Sequence, residues 1–156
     1  MTDENKRGLD TVDEGPVSSD VSSAEYSGDE GDASAHASVA ALMEHFADAV
    51  VRHRVYSGGQ HVVWIVPEKN YEILSWLQTD PDHRYDMMSD VTAVDYGNAR
   101  PVNVVYQMFS TVHKYELRIR CELPLDALEI DSVVDLWKVA NWLEREIFDL
   151  FGVTFK

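Results

Sequence analysis

Cysteine and long apolar runs are what this sequence most clearly lacks. Its 156 residues include one cysteine, Cys121, which excludes a disulfide framework and any cysteine-only metal or iron–sulfur site within the chain. No apolar run approaches the roughly 18 residues that a membrane-spanning helix needs. The first ten residues, MTDENKRGLD, lack the apolar core of a secretion signal. We therefore expect a protein of a reducing compartment.

Motifs for cofactor binding and hydrolysis are also missing. The sequence contains no phosphate-binding loop, no nucleophile elbow of the G-x-S-x-G type and no H-E-x-x-H zinc motif. The six histidines lack the close spacing of metal ligands, and Cys121 falls on the apolar side of its predicted strand, as a buried and inert thiol does. We therefore predict no catalytic residue, no cofactor-binding residue, no metal ligand and no small-molecule ligand. A binding or assembly role is favoured over a stand-alone enzyme.

Basic residues are scarce beside acidic ones, 13 against 28, and the formal net charge is −15. Such a surface repels nucleic acids and anionic lipid head groups, so no nucleic-acid partner is expected. Residues 1–36 hold ten of the acidic residues and only two basic ones, with almost no large apolar side chains. We predict that they form a disordered acidic tail, with an acidic docking arm as the alternative. Residues 37–156 then form one domain, long enough to bury a core.

Hydrophobic periodicity predicts an α+β fold. Apolar residues at three- and four-residue spacing predict a first helix that extends to Val50 and Val51. Strict alternation in KYELRIRC, residues 114–121, predicts a strand with one buried and one solvent-facing side. Short connections between the last three strands predict a mainly antiparallel sheet, with helices packed on one face and a long C-terminal helix. The predicted order is α-β-α-β-β-β-α, over about residues 38–51, 61–67, 68–78, 87–96, 102–110, 114–121 and 133–151.

The final predicted helix lies between an N-cap at Ser132, with Asp135 in a capping-box position, and a stop at Gly152. Projection at 100° per residue gathers six apolar residues into a core stripe. These are Val139, Ala140, Leu143, Ile147, Leu150 and Phe151.

The flanks of that stripe carry both aromatic and acidic residues. Trp137 and Phe148 lie on one flank with Glu144 beside them, and Trp142 lies on the other with Glu146. Carboxylates among aromatic rings are costly to desolvate unless they are paired. The helix could dock into a partner, with the acids meeting basic groups or backbone amides of that partner. It could also lie in a groove of its own domain with the acids at the rim. The pattern alone leaves both interpretations open.

The stretch ANWLEREIFDLFGVTF, residues 140–155, resembles the signature of the C subunit of the proton-pumping NADH:quinone oxidoreductase, respiratory complex I. The animal mitochondrial counterpart of that subunit is the iron–sulfur protein 3 subunit. Residues 86–110 and 114–124 are similar to the family's central strands, so the resemblance extends in order over about residues 38–156. The signature residues that the resemblance implies at an interface are Trp142, Glu144, Arg145, Glu146, Phe148, Asp149, Phe151 and Gly152.

The resemblance implies a subunit of the peripheral arm, on the cytoplasmic side of the cell inner membrane and associated with the membrane only through the complex. It implies the D, B and I subunits as partners, and it favours a docking helix. The assembly would transfer electrons from NADH to quinone and translocate protons. The FMN and the iron–sulfur clusters are expected in partner subunits, with no cofactor bound by this chain.

Two other functions remain open at this stage. The homologous subunit of a membrane-bound nickel–iron hydrogenase or of an F420H2 dehydrogenase is one alternative, because those complexes share the module. A stand-alone acidic binding module is the other. The family signature continues into a segment resembling GHPDLRRIL, whereas this sequence stops at Lys156. We therefore expect a C-terminally truncated signature.

Overall fold

The computed structural model describes residues 31–156. A disordered tail was predicted for residues 1–36, and residues 1–30 of it lie outside the described residues. Its last residues are folded: Ala33–Ala35 form a 3-10 turn, and the side chain of Asp32 accepts the N–H of Ser34 at 2.9 Å. The ring of His36 packs at 5.0 Å, centroid to centroid, from the ring of Tyr115. Folded structure therefore begins before residue 37.

Three helices and a five-stranded sheet make up most of the described chain, with a two-stranded pair near its end. The helices are α1 (Ala37–His45), α2 (Asn70–Thr79) and α3 (Ala140–Phe151). The sheet consists of β1 (Val50–Tyr56), β2 (Gln60–Ile65), β3 (Met87–Val94), β4 (Val102–Phe109) and β5 (Glu116–Leu123). A separate parallel pair joins β6 (Glu129–Ile130) and β7 (Thr154–Phe155).

The strand order in the sheet is β1-β2-β5-β4-β3. The strands β3, β4 and β5 form the predicted antiparallel meander, and β2 lies parallel to β5. The prediction missed β1, which pairs antiparallel with β2 across a turn in which Gly58 has a φ of 82°. Val50 and Val51 were assigned to the first helix because they continue its spacing. That helix ends at His45, and the β-branched segment after it pairs with β2.

The hydrophobic core lies between the three helices and one face of the sheet. Val39 and Leu42 of α1, Leu74 of α2 and Ile147 of α3 belong to the same buried cluster as the inward side chains of the strands. Along β5 the buried side chains are those of Leu117, Ile119, Cys121 and Leu123, which alternate with partly exposed ones. The α+β prediction, with helices on one face of a mainly antiparallel sheet, is confirmed.

The last helix is shorter than predicted. It begins at Ala140, and residues 133–139 form successive turns. Ser132 caps no helix, although its hydroxyl accepts the N–H of Val134 at 3.3 Å. The predicted end is correct, because Gly152 has a φ of 72° and its N–H donates to the carbonyl of Phe148 at 2.9 Å.

Candidate functional site

The outer surface of α3 is the candidate site, because it exposes large apolar side chains that its own domain leaves uncovered. Trp142 is 72% exposed, Leu150 is 68% exposed and Phe148 is 55% exposed. Val139, directly before the helix, is 47% exposed. Single exposed apolar residues are common on soluble proteins, but a group on one short helix marks an interaction surface.

The inward side of α3 differs from the predicted core stripe. Ala140, Glu144 and Ile147 are buried, and Leu143 and Phe151 are partly buried against the core. Val139 and Leu150 were expected in the stripe and are exposed instead. The buried side of α3 is therefore rotated about the helix axis relative to the predicted stripe. Glu144, expected on the flank, faces the core, and Leu150 faces solvent.

Trp137 is also placed differently from the prediction. It was expected on the flank beside Phe148, but it precedes the helix, is only 5% exposed and belongs to the core. Its indole N–H donates to the carbonyl of Tyr85 at 3.2 Å. The turns over residues 133–139 cause this difference, because helical projection does not apply before Ala140. Trp137 is therefore a core residue.

Glu144 binds its own chain. One carboxylate oxygen accepts the backbone N–H of Val133 at 2.8 Å, and the other accepts the hydroxyl of Ser132 at 2.7 Å. Burial raises the pKa of this carboxyl above its ordinary value, and the two hydrogen bonds partly offset that effect. A buried carboxylate requires a hydrogen-bond donor, and for Glu144 that donor is a backbone amide of the same chain.

The exposed signature residues divide into two flanks of the helix. Trp142, Glu146 and Leu150 lie on one flank, at spacings of four residues along α3. Phe148 lies on the other, and exposed Arg145 lies between them with its guanidinium 5.6 Å from the ring centroid of Trp142.

A groove runs beside the Phe148 flank. It has a volume of about 710 Å³, and its walls come from α3, from Asp131, Ser132 and Asp135 before the helix, and from Thr154, Phe155 and Lys156 after it. Asp149 and Gly152 are exposed, and Phe151 is partly buried. Of the eight predicted signature residues, the structure therefore places six on the surface and turns Glu144 and Phe151 inward.

Sequence reasoning missed the contact between Glu144 and the Ser132–Val133 segment. Ser132 and Val133 lie in the segment that leads into the turns before α3, whereas Glu144 lies within α3, so the periodicity of a single element offers no signal for this contact. Within residues 31–156, no group of three or more His, Cys, Asp and Glu side chains is arranged to hold a metal ion. The helices of this part of the chain are also too short or too polar to cross a membrane.

Known proteins resemble this chain over much of its length. The family model described as the 30 Kd subunit of respiratory-chain NADH dehydrogenase matches residues 63–156. The C subunit of the NADH-quinone oxidoreductase of Citrifermentans bemidjiense is 39% identical over 119 residues, which are 76% of this chain and 72% of that protein. Its counterpart in Geobacter sulfurreducens is 39% identical over 116 residues, which are 73% of this chain and 70% of that protein.

Two solved structures share the fold. A trypsin-resistant fragment (1-134) of Nqo5 has a TM-score of 0.65 at 26% identity and covers 75% of this chain and 93% of its own. A chain of the membrane-bound sulfane sulfur reductase, an archaeal respiratory membrane complex, has a TM-score of 0.61 at 21% identity, covering 76% of this chain and 68% of its own. The second likeness concerns the fold alone. The family match spans more than half of the chain and confirms the resemblance in its sequence: the protein belongs to the family of the 30 Kd subunit of respiratory-chain NADH dehydrogenase.

Proposed function

We propose that this chain is the subunit of an NADH:quinone oxidoreductase that joins neighbouring subunits of the peripheral arm through the exposed side of α3. As a member of its family it is a part of that enzyme complex, which passes electrons from NADH to quinone and translocates protons. The chain contributes assembly rather than chemistry. The observation that carries the proposal is the exposure of Trp142, Phe148 and Leu150 on one short helix.

The energetics support an interface on this helix. Aromatic side chains bury about 150–250 Å² each, and apolar area contributes about 25 cal/mol per Å². Covering Trp142, which is 72% exposed, would therefore contribute on the order of 3 kcal/mol. Anchors of this size and type dominate many interfaces between proteins. Arg145 beside Trp142 adds a charged group that can pair with a partner's carboxylate.

The partners that we propose are the D, B and I subunits. In that arrangement the chain lies on the cytoplasmic side of the membrane and is held there through the complex. We further propose that it binds no flavin or iron–sulfur cluster, which belong to partner subunits. The hydrogenase and F420H2 dehydrogenase alternatives are not favoured, because the relatives described above carry the NADH-quinone oxidoreductase name. The stand-alone acidic module is not favoured for the same reason.

The test replaces Leu150 by alanine in the source cell and measures how much of the chain co-purifies with the peripheral arm. Leu150→Ala should weaken the association by about 1–2 kcal/mol, or roughly 5- to 30-fold, because a mostly exposed leucine would be buried on docking. The matched control is Leu125→Ala, since Leu125 is 49% exposed in the turn after β5.

Three measurements decide the outcome: the thermal stability of each isolated variant, the subunits that co-purify with it, and the NADH:quinone activity of membranes. We expect Leu150→Ala to reduce retention and activity while its melting temperature stays near that of the unchanged chain. Equal retention of the two variants would exclude this side of α3 as the interface. Co-purification with a hydrogenase in place of D, B and I subunits would overturn the assignment to the NADH enzyme.

A further inference from the structure

The face of the sheet opposite the helices carries a group of arginines. Val63 and Ile65 of β2 belong to the buried cluster between the helices and the sheet. Val62 and Trp64, which alternate with them along the strand, are outside that cluster and lie on the other face. In residues 31–156, none of the three helices packs here. We call this surface the open face.

Two rows of side chains cross the open face over three adjacent strands, β1, β2 and β5. In one row Arg52 of β1 lies opposite Trp64 of β2 in the strand register, and Trp64 lies opposite Arg120 of β5. In the next row Arg54 pairs with Val62, which pairs with Arg118. Each row therefore places an apolar residue between two arginines. Glu116 and Glu122 lie on the same side of β5 as Arg118 and Arg120, and Asp90 of β3 lies opposite Gln107 beside Arg118, so the four arginines exceed the carboxylates of these strands by one charge. The chain as a whole has a net charge of −15.

Trp64 lies at the centre of the open face and has an unused hydrogen-bond donor. The guanidinium of Arg52 lies 4.3 Å from its ring centroid, and that of Arg120 lies 5.3 Å away. The side chain is only 1% exposed, and its indole Nε1 has no hydrogen-bond partner among the described residues. A buried donor without a partner costs about 1–3 kcal/mol, so an acceptor placed here would be favoured.

Two of the arginines make their hydrogen bonds to neutral groups. Arg118 donates from Nε to the side-chain oxygen of Gln107 at 2.8 Å, and Arg120 donates to the hydroxyl of Tyr96 at 3.0 Å. By contrast, Arg52 forms an ion pair with Glu122 at 2.6 Å. Burial, together with the nearby charge of Arg120, lowers the pKa of Arg118, and the carboxylates of Glu116 and Asp90 offset this only in part. Additional carboxylates would relieve this crowding of like charges.

We propose that the open face is the docking site for the acidic N-terminal segment of the same chain, residues 1–30. That segment contains nine acidic and two basic residues, a net charge of −7. Its carboxylates meet Arg118 and Arg120, and one of its oxygen acceptors meets the indole N–H of Trp64. This surface is separate from the α3 interface, and the two proposals stand independently.

The point at which the segment joins the folded chain supports this occupant. Gly31 lies against β1, where an added Cβ would overlap the side chain of Val55. Because β1 is an edge strand, the chain needs to pass only one edge to reach the open face. Crossing a thickness of about 10 Å takes roughly three to four extended residues, and neighbouring strands are only about 4.8 Å apart. Thirty residues therefore reach β5 easily.

Tethering also distinguishes this occupant from a segment of another protein. Ion pairs on an exposed surface contribute about 0.2–1 kcal/mol each, so those of Arg118 and Arg120 give at most about 2 kcal/mol. Satisfying the buried indole N–H of Trp64 adds about 1–3 kcal/mol, for a total near 4 kcal/mol. That corresponds to a dissociation constant on the order of 1 mM. A segment of the same chain has an effective concentration that is itself on the order of mM, so it occupies the site in about half of the molecules, whereas a separate acidic peptide at lower concentration occupies it rarely.

The test places a nitroxide spin label on the N-terminal segment of the full chain, through Ser18→Cys, and records the indole N–H signals by NMR. Cys121 is fully buried, and burial raises the pKa of its thiol, so the label reacts with the introduced cysteine. The variant Trp64→Phe identifies the signal of Trp64. We expect this signal to lose most of its intensity while that of Trp142 on α3 keeps it.

Two independent perturbations should restore the Trp64 signal. Raising the salt concentration from 0.1 M to 1 M shortens the screening length from about 10 Å to about 3 Å and should release the segment. Lowering the net charge of the segment from −7 to −4 with D13N, E14Q and D20N should weaken the contact in the same direction without altering the folded domain. The double variant R118Q/R120Q tests the other side of the contact. Its folding is checked by the unchanged Trp142 signal.

Equal broadening of Trp64 and Trp142 would overturn the proposal. So would a Trp64 signal that the charge changes leave unaltered. If the Trp64 signal is unaffected in the isolated chain and the open face becomes protected from hydrogen exchange only in the assembled complex, the site belongs to another subunit and the proposal is wrong.

Discussion

The buried carboxylate of Glu144 gives a sharp test of how α3 is attached to its domain. Its two oxygens hold the Ser132–Val133 segment at 2.7 and 2.8 Å. Glu144→Ala removes both acceptors and leaves the N–H of Val133 buried without a partner. Glu144→Gln has nearly the same shape, since its carbonyl oxygen can accept from Val133 while its amide donates to the oxygen of Ser132.

The expected magnitudes follow from these contacts. An unpaired buried N–H costs about 1–3 kcal/mol, and losing the bond to the partly exposed Ser132 hydroxyl costs about 0.5–1.5 kcal/mol. Glu144→Ala should therefore lower the free energy of unfolding by about 2–4 kcal/mol, or the melting temperature by about 10 °C. Glu146→Ala is the matched control: Glu146 is exposed on the same helix, and its loss should change stability by less than about 0.5 kcal/mol.

The pH dependence separates the carboxylate from its isosteric amide. Because burial raises the pKa of Glu144 in the folded state above its ordinary value of 4.5, the folded chain binds this proton more tightly than the unfolded chain. The stability from this group is thus fully present below pH 4.5 and is lost as the pH rises through the folded-state pKa. Glu144→Gln has no titrating group at this position, so its stability does not fall in this way as the pH rises. The variant should gain stability relative to the unchanged chain as the pH increases from 4 to 7.

Urea unfolding of the three variants over this pH range supplies the free energies, and hydrogen exchange follows the amide of Val133. We expect that amide to exchange slowly in the unchanged chain and quickly in Glu144→Ala. A cost for Glu144→Ala no larger than that for Glu146→Ala would refute the reasoning. So would a pH-independent difference between the unchanged chain and Glu144→Gln.

Two further predictions concern stability. Gly152→Ala should cost about 1 kcal/mol, because Gly152 ends α3 with a φ of 72°, and Gly152→Asn should cost less; equal costs in thermal unfolding would contradict this. His36, His53 and His61 pack together, with His53 Nε2 3.0 Å from His61 Nδ1, and burial lowers the pKa of each below 6.5. Their contribution to stability is therefore lost as the pH falls below 6.5, and His61→Gln should reduce this acid sensitivity more than His45→Gln at an exposed position.

Local patterns in the sequence determined much of the fold. The alternation of Leu117, Ile119 and Cys121 with polar residues identified β5 and its buried side, because successive side chains of a strand face opposite ways. Gly152 marked the end of the last helix, because glycine adopts a positive φ without steric cost. The signature in residues 140–155 also identified the family, which the comparisons confirmed.

Tertiary structure decided what depends on distant segments. Val50 and Val51 fit the spacing of a helix, but pairing with β2 makes them part of a strand. The family resemblance implied Glu144 at an interface, whereas the structure bonds its carboxylate to Ser132, because the turns before α3 bring that residue back against the helix. A residue's preferred backbone angles and its side of a helix or strand are set by its neighbours in the chain. Its burial and hydrogen-bond partners are set by whichever remote segment folds beside it, and periodicity does not record that.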